Sequence, residues 1–155
     1  MDELCEVCGF LKNPSADTQI LDTKFWNVAI DGSNHAYLGR AYVSLKEHTA
    51  NLGSLSKDEW IDFQEIVEKL EKAYKDAFGA EPLNWSCLMN HAFRKKPFNP
   101  HVHWHVFPRY EIAPVLDGIT FDDPLFGKIY DNHAERLVSA ETVEHIAATL
   151  RQRIE

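Results

Sequence analysis

Residues 101–107 read His101-Val102-His103-Trp104-His105-Val106-Phe107. The strict alternation of imidazole and apolar side chains predicts a strand from His101 to Phe107, because successive residues of a strand point to opposite faces. Val102, Trp104 and Val106 then bury on one side, while His101, His103 and His105 line the other. Three imidazoles in a row add little to packing, so their face is a candidate site. A straight strand rising about 3.3 Å per residue sets the outer two α-carbons roughly 13 Å apart. A single metal with nitrogen bonds of about 2 Å does not reach all three, although two at i and i+2 can chelate. A division of labour suits the geometry better. A neutral imidazole is a competent nucleophile and a protonated one a competent acid near neutral pH, so such a row can attack phosphorus, hold non-bridging oxygens and assist a leaving group.

Outward from this strand the chain reads as a mixed fold. Lys24 to Ile30 is a predicted strand, Asp31-Gly32-Ser33-Asn34 a turn, and Tyr37 to Leu45 a second strand pairing with the first as a hairpin. A long helix is expected from Lys57 to Phe78. Ser56 and Glu59 form a capping-box pattern, Leu55 can staple against Trp60, and Gly79 ends the run. Trp60, Phe63, Ile66, Val67, Leu70, Tyr74 and Phe78 recur at helical spacing and read as core. Leu83 to Met89 is a third predicted strand. Gly118 to Asp131 is irregular. Ser139 caps a final helix with Val143, Ile146, Leu150 and Ile154 on one face. No internal repeat is present. The order predicts an α+β fold: an antiparallel sheet with one long helix and a C-terminal helix, in a single domain over residues 1–155.

The 155 residues suffice for one well-packed core, and the net charge of −8 argues against long nucleic acids as partners. The charge is unevenly spread. From Pro82 to Tyr110 there is no Asp or Glu, while Arg94, Lys95, Lys96, Arg109 and four histidines fall in that stretch. Such a segment suits a small anion. No apolar run approaches the roughly 20 residues of a membrane helix, and Met1-Asp2-Glu3 lacks a signal-peptide pattern, so a cytoplasmic location is the expectation. Cys5-Glu6-Val7-Cys8 is a CxxC pair that reads as a redox pair, half a zinc site or two plain thiols. Cys87 is expected to be buried. His35 falls in a turn, His133 and His145 read as surface residues, and His91 opens the basic loop where it can line a pocket. Phe25 or Trp26 can supply an apolar wall for a base.

The pattern His-apolar-His-apolar-His-apolar-apolar resembles the signature of the histidine-triad (HIT) family of nucleotide hydrolases and transferases. Met89-Asn90 before it, Pro108-Arg109 after it and the Lys46-Glu47-His48 stretch agree, and the resemblance runs from about Cys5 to Tyr110, leaving residues 111–155 as a C-terminal extension. The resemblance implies a small-molecule nucleotide substrate, with His103 attacking the α-phosphorus to form a nucleotidyl-histidine that water then resolves to a nucleoside monophosphate. It implies that His105 stabilises phosphate charge, that Asn90 contacts phosphate, and that Asp31 binds ribose hydroxyls; an ordinary turn aspartate fits Asp31 equally well. No catalytic metal is required by such chemistry. Dinucleoside polyphosphates and nucleoside phosphoramidates are the implied substrates.

The chain departs from the common pattern before the triad, where many members carry Gly-Gln-Ser/Thr and this one has Pro97-Phe98-Asn99-Pro100. The run Asn99-Pro100-His101-Val102-His103 is similar to the galactose-1-phosphate uridylyltransferases. Those have glutamine where His105 stands, which favours hydrolysis here. Asn99 can replace the missing polar contact, and Arg94, Lys95 and Lys96 can reach outer phosphates. In several relatives the N-terminal cysteines bind zinc, which implies a structural site of Cys5, Cys8, His48 and His101. A homodimer paired through the long helix and a central strand is likewise implied. The competing readings are a zinc-stabilised nucleotide-binding module with little turnover, and a metal-dependent hydrolase using paired histidines.

Overall fold

The computed structural model describes residues 5–154, so the Met1-Asp2-Glu3 opening discussed above lies outside it. A short helix α1 (Glu6–Lys12) leads into β1 (Gln19–Asp22), β2 (Trp26–Ile30) and β3 (Ala41–Leu45), then the long helix α2 (Lys57–Phe78), β4 (Leu83–Ser86) and β5 (His103–Pro108). A small hairpin of β6 (Val115–Leu116) and β7 (Ile119–Thr120) precedes the last helix, α3 (Ala140–Arg151). The five long strands form one antiparallel sheet in the order β1-β2-β3-β5-β4. The α+β class, the hairpin of β2 with β3, and both helices agree with the sequence pattern.

Register explains how the sheet divides its faces. Val28 pairs with Val43, Val43 with Trp104, and Trp85 with Val106, which assembles one apolar face across four strands. Helix α2 lies on that face with Ile66, Leu70 and Tyr74 fully buried, and its Phe63 ring stacks on Trp104 at 5.0 Å. The Ser56 side chain accepts from the Glu59 amide, and the Glu59 carboxylate accepts from the Ser56 amide, so the expected capping box starts the helix. Gly79 ends it in the left-handed conformation. Helix α3 packs on β1 and α2 through Val143, Ile146 and Leu150. Burial of each such side chain contributes about 1.5–3 kcal/mol.

Several expectations are corrected. The second strand begins at Ala41, not Tyr37, because the Arg40 amide bonds the Tyr37 carbonyl across a turn with Gly39 at φ 74°. A β-carbon on Gly39 would meet the Tyr74 ring at 2.7 Å, and the Tyr74 hydroxyl donates to the Gly39 carbonyl, so the turn is pinned on the core. The third strand stops at Ser86, and the triad strand runs from His103 to Pro108, leaving His101 and Val102 just before it. Strand β1, helix α1 and the small β6–β7 hairpin had no clear periodic signal. Trp60 is on the exposed margin of α2, Cys87 is only half-buried, and the turn residue His35 is fully buried.

Arg109, counted above among the cations of the acid-free segment, does not face an anion site. Its side chain is 3% exposed, and Asp123, at 1%, takes a two-pronged contact from Nε at 2.7 Å and Nη2 at 3.0 Å. The remaining donors go to Asn84 Oδ1 and to the carbonyls of Lys128 and Leu125, so all five guanidinium hydrogens have acceptors. This buried pair fastens the segment after β7 to the end of β5. Arg109→Met is expected to cost about 3–5 kcal/mol by stranding Asp123 without its counter-charge. Urea unfolding reads it, and a change under 1 kcal/mol would contradict the assignment.

Candidate active site

The second face of the sheet carries polar groups. Tyr42 pairs with His105, Ser44 with His103, and Asn84 with Phe107, all on the side away from α2. A cleft of about 910 Å³ opens over this face. Its walls include His101, His103, His105 and Phe107, the basic loop with Asn90, His91, Arg94, Lys95, Lys96 and Asn99, and the N-terminal arm. All the residues expected at an anion site from this loop therefore meet there. Asp31 does not line it. Neither do Phe25 and Trp26; Trp26 is fully buried with its indole N–H on the Glu59 carbonyl, and the Lys24 ammonium lies over Phe25. Arg40, Tyr42, Asn132 and His133 are among the lining residues that the sequence reading did not place at a site. Asn132 and His133 arrive because Tyr130 stacks on Phe107 at 4.1 Å and its hydroxyl meets that of Ser86 at 2.8 Å. His133 is exposed, as expected, yet borders the cleft; His145 pairs with Asp117 at 2.8 Å on the surface.

The histidines differ in what their ring nitrogens meet. His103 Nδ1 lies 2.8 Å from the carbonyl oxygen of His101. A carbonyl only accepts, so Nδ1 carries the proton and Nε2 of the neutral ring keeps its lone pair. His105 lies between His103 and Phe107, with Tyr42 edge-on at 5.1 Å. Burial first, then repulsion from His103 and Arg40, pushes its pKa down to about 4, so its ring is uncharged at neutral pH. Tyr42 is pushed up to about 12, chiefly by burial, and its hydroxyl donates to Asp31 Oδ2 at 3.0 Å. Burial would raise the Asp31 carboxyl, but bonds from the Asn34 and Ser33 amides, the Tyr42 hydroxyl and the charge of Arg40 together hold it below the usual carboxylate range. Its oxygens are occupied as those of a turn aspartate.

His101 is turned away from the other two. It is 2% exposed, and its Nε2 donates to the Leu45 carbonyl at 2.6 Å, which leaves Nδ1 bare. That nitrogen sits 3.4 Å from Cys5 Sγ and 3.5 Å from Cys8 Sγ, while His48 Nδ1 lies 3.4 Å from Cys8 Sγ. The four ligand atoms fall within 4.8 Å of one another. A tetrahedral zinc with bonds of about 2.3 Å to sulfur and 2.0–2.1 Å to nitrogen separates unlike ligands by about 3.6 Å, close to these spacings. The carbonyl on the far nitrogen of His101 is the partner a metal-binding imidazole ordinarily has. The donor set therefore fits a structural metal. It forms because α1 places both thiols under the end of β3. Lys46, next to this site in sequence, points elsewhere and bonds Asp22 at 2.8 Å.

The comparisons with known proteins agree with this geometry. The family model described as HIT domain matches residues 28–112. Adenosine 5′-monophosphoramidase of Schizosaccharomyces pombe is 34% identical over 71 residues, 46% of this chain and 49% of the relative, so the chain spans about half the length of that curated relative. A histidine triad nucleotide-binding protein from Sulfolobus tokodaii superposes with TM-score 0.66 at 20% identity, over 97% of this chain and 91% of that one. A zinc-bound histidine triad protein from Mycobacterium smegmatis gives 0.61 at 18% identity over 97% and 93%. Diadenosine triphosphate hydrolase of Plasmodium falciparum gives 0.60 at 13% over 89% and 76%. With more than half of the chain under the family model, and an imidazole row on the open face of the sheet, this protein belongs to the HIT family.

Proposed function

We propose that this protein hydrolyses nucleotides at the α-phosphorus through a nucleotidyl-histidine on His103, taking dinucleoside polyphosphates or nucleoside phosphoramidates and releasing a nucleoside monophosphate. The observation that carries this reading is the bond from His103 Nδ1–H to the His101 carbonyl, which holds the ring as a nucleophile with Nε2 bare. In the first step the Nε2 lone pair forms a bond to phosphorus, and the bond from phosphorus to the leaving group breaks. The leaving group departs with that electron pair and is then protonated. The His101 carbonyl stabilises the ring as it becomes cationic. In the second step water attacks phosphorus, the P–N bond breaks, and the ring is returned as neutral imidazole when the water proton is lost. His105 lines the same cleft beside His103 and is placed to stabilise charge on the phosphoryl group.

The other roles follow from position in the cleft. Asn90 and Asn99 supply neutral donors to phosphate oxygens. His91, Arg94, Lys95 and Lys96 supply a cationic rim for outer phosphates, which favours the polyphosphate substrates. Asp31 acts behind Tyr42 rather than on ribose. His101 is a positioning residue, with its carbonyl on His103 and its ring on the thiols. Cys5, Cys8, His48 and His101 hold a structural zinc, which ties the N-terminal arm to the entrance of β5. The phosphoramidase relative and the polyphosphate hydrolase neighbour support the two substrate classes.

The test is a product profile. Diadenosine polyphosphates and an adenosine phosphoramidate are incubated with the purified protein, with and without a mild chelator and without added metal. AMP release under both conditions is expected. Nucleotide binding without release would instead favour a binding module, and dependence on an added divalent metal would favour the paired-histidine hydrolase.

A further inference from the structure

Arg109 and Arg40 have opposite surroundings. Arg109 has an acceptor for each of its five hydrogens and a buried carboxylate alongside, so its role is structural. Arg40 enters the cleft from the turn before β3 and ends with its guanidinium 4.8 Å from the centre of the Phe107 ring and 5.7 Å from that of Tyr42. Its Nε is enclosed and has no partner. Among the described residues it forms no ion pair, and its one polar approach is to the Tyr42 hydroxyl. The nearby carboxylate, Asp31, has its oxygens on the Ser33 and Asn34 amides and the Tyr42 hydroxyl. A guanidinium whose Nε is enclosed without an acceptor, at the wall of a cleft, is completed by an anion that supplies one.

Its neighbours say which anion. Phe107 follows His103 and His105 on the open face of β5, and Arg40 lies over that ring while its charge acts on His105. The flat faces of Phe107 and Tyr42 orient the fork, and a guanidinium fork matches two oxygens of a phosphoryl group. We propose that Arg40 is a phosphoryl-binding residue of this cleft, its guanidinium contacting non-bridging oxygens of the phosphoryl group held against His105. The inference rests on the nucleotide reading of the cleft and adds to it a permanent cation opposite the basic loop. The site thus selects a phosphorylated nucleoside over the nucleoside itself.

The test is calorimetric titration of the full chain with AMP and with adenosine, alongside AMP release from a diadenosine polyphosphate. Arg40→Gln is expected to weaken AMP about tenfold or more, to leave adenosine within about twofold, and to slow AMP release about a hundredfold. Arg40→Lys keeps the charge without the fork and is expected to give a smaller loss in the same direction; it also serves if the glutamine variant fails to fold. Equal weakening of both ligands, or no change in either, overturns the inference. If the unaltered protein binds and releases AMP while both variants match it, only the role of Arg40 falls. If the unaltered protein neither prefers AMP to adenosine nor releases AMP, the nucleotide reading falls with it.

Discussion

His103→Ala is expected to lower kcat for AMP release by at least about 10⁴-fold while AMP binding stays within a few-fold. The magnitude follows from the role: a nucleophile is needed in both steps, and removing one in a hydrolase that works by covalent catalysis leaves only binding and oxyanion stabilisation. Binding survives because the ring contributes little to ground-state contacts when Arg40, Asn90 and the basic loop remain. The same variant separates two explanations of lost activity, since a collapsed cleft would lose AMP affinity as well. Rapid quench of the unaltered protein in alkaline denaturant, which preserves a P–N bond to imidazole, should trap a nucleotidylated peptide spanning His103. Unimpaired turnover by the alanine variant, or an adduct elsewhere, would refute the assignment.

Elemental analysis is expected to find about one zinc per chain, and Cys5→Ser with Cys8→Ser together is expected to remove it and lower Tm by on the order of 10 °C or more. The size of the effect reflects how much the four ligands join. Cys5 and Cys8 come from the N-terminal arm, His48 follows β3, and His101 precedes β5. Without the metal, two buried thiols and a buried imidazole are left facing one another at the base of α1. Activity should fall as well, because the carbonyl that orients His103 belongs to His101. The two variants then differ in kind: His103→Ala loses chemistry at nearly unchanged Tm, whereas the serine variant loses stability first. A folded protein free of metal, with an unchanged Tm after the serine substitutions, would reject the zinc site.

Much of this organisation is legible in the sequence because it is periodic. Alternation over residues 103–107 assigns Trp104 and Val106 to one side and His103 and His105 to the other, and register with β3 and β4 repeats that division strand by strand, whereas His101 lies just before the strand. The capping box at Ser56, the apolar stripe of α2 and the Ser139 cap of α3 are local signals of the same kind. Motif likeness supplied the ligand set Cys5, Cys8, His48 and His101, whose atoms converge although they are up to 96 positions apart in the chain.

What periodicity does not carry is which side chain ends up with which partner. Arg109 and Arg40 are indistinguishable as letters, yet one is completed by Asp123 from 14 positions downstream and the other is left facing a cleft. The sequence left Asp31 open as a ligand or as a turn aspartate, and only the folded turn shows the Ser33 and Asn34 amides on its carboxylate. Asn132 and His133 reach the cleft only because the chain after β7 is fastened through Arg109 and Tyr130. Local pattern decides an element and its faces, since those depend on neighbours a few residues apart. The satisfaction of each charge and hydrogen-bonding group depends on segments brought together from distant parts of the chain, and so it was decided only when the tertiary structure closed.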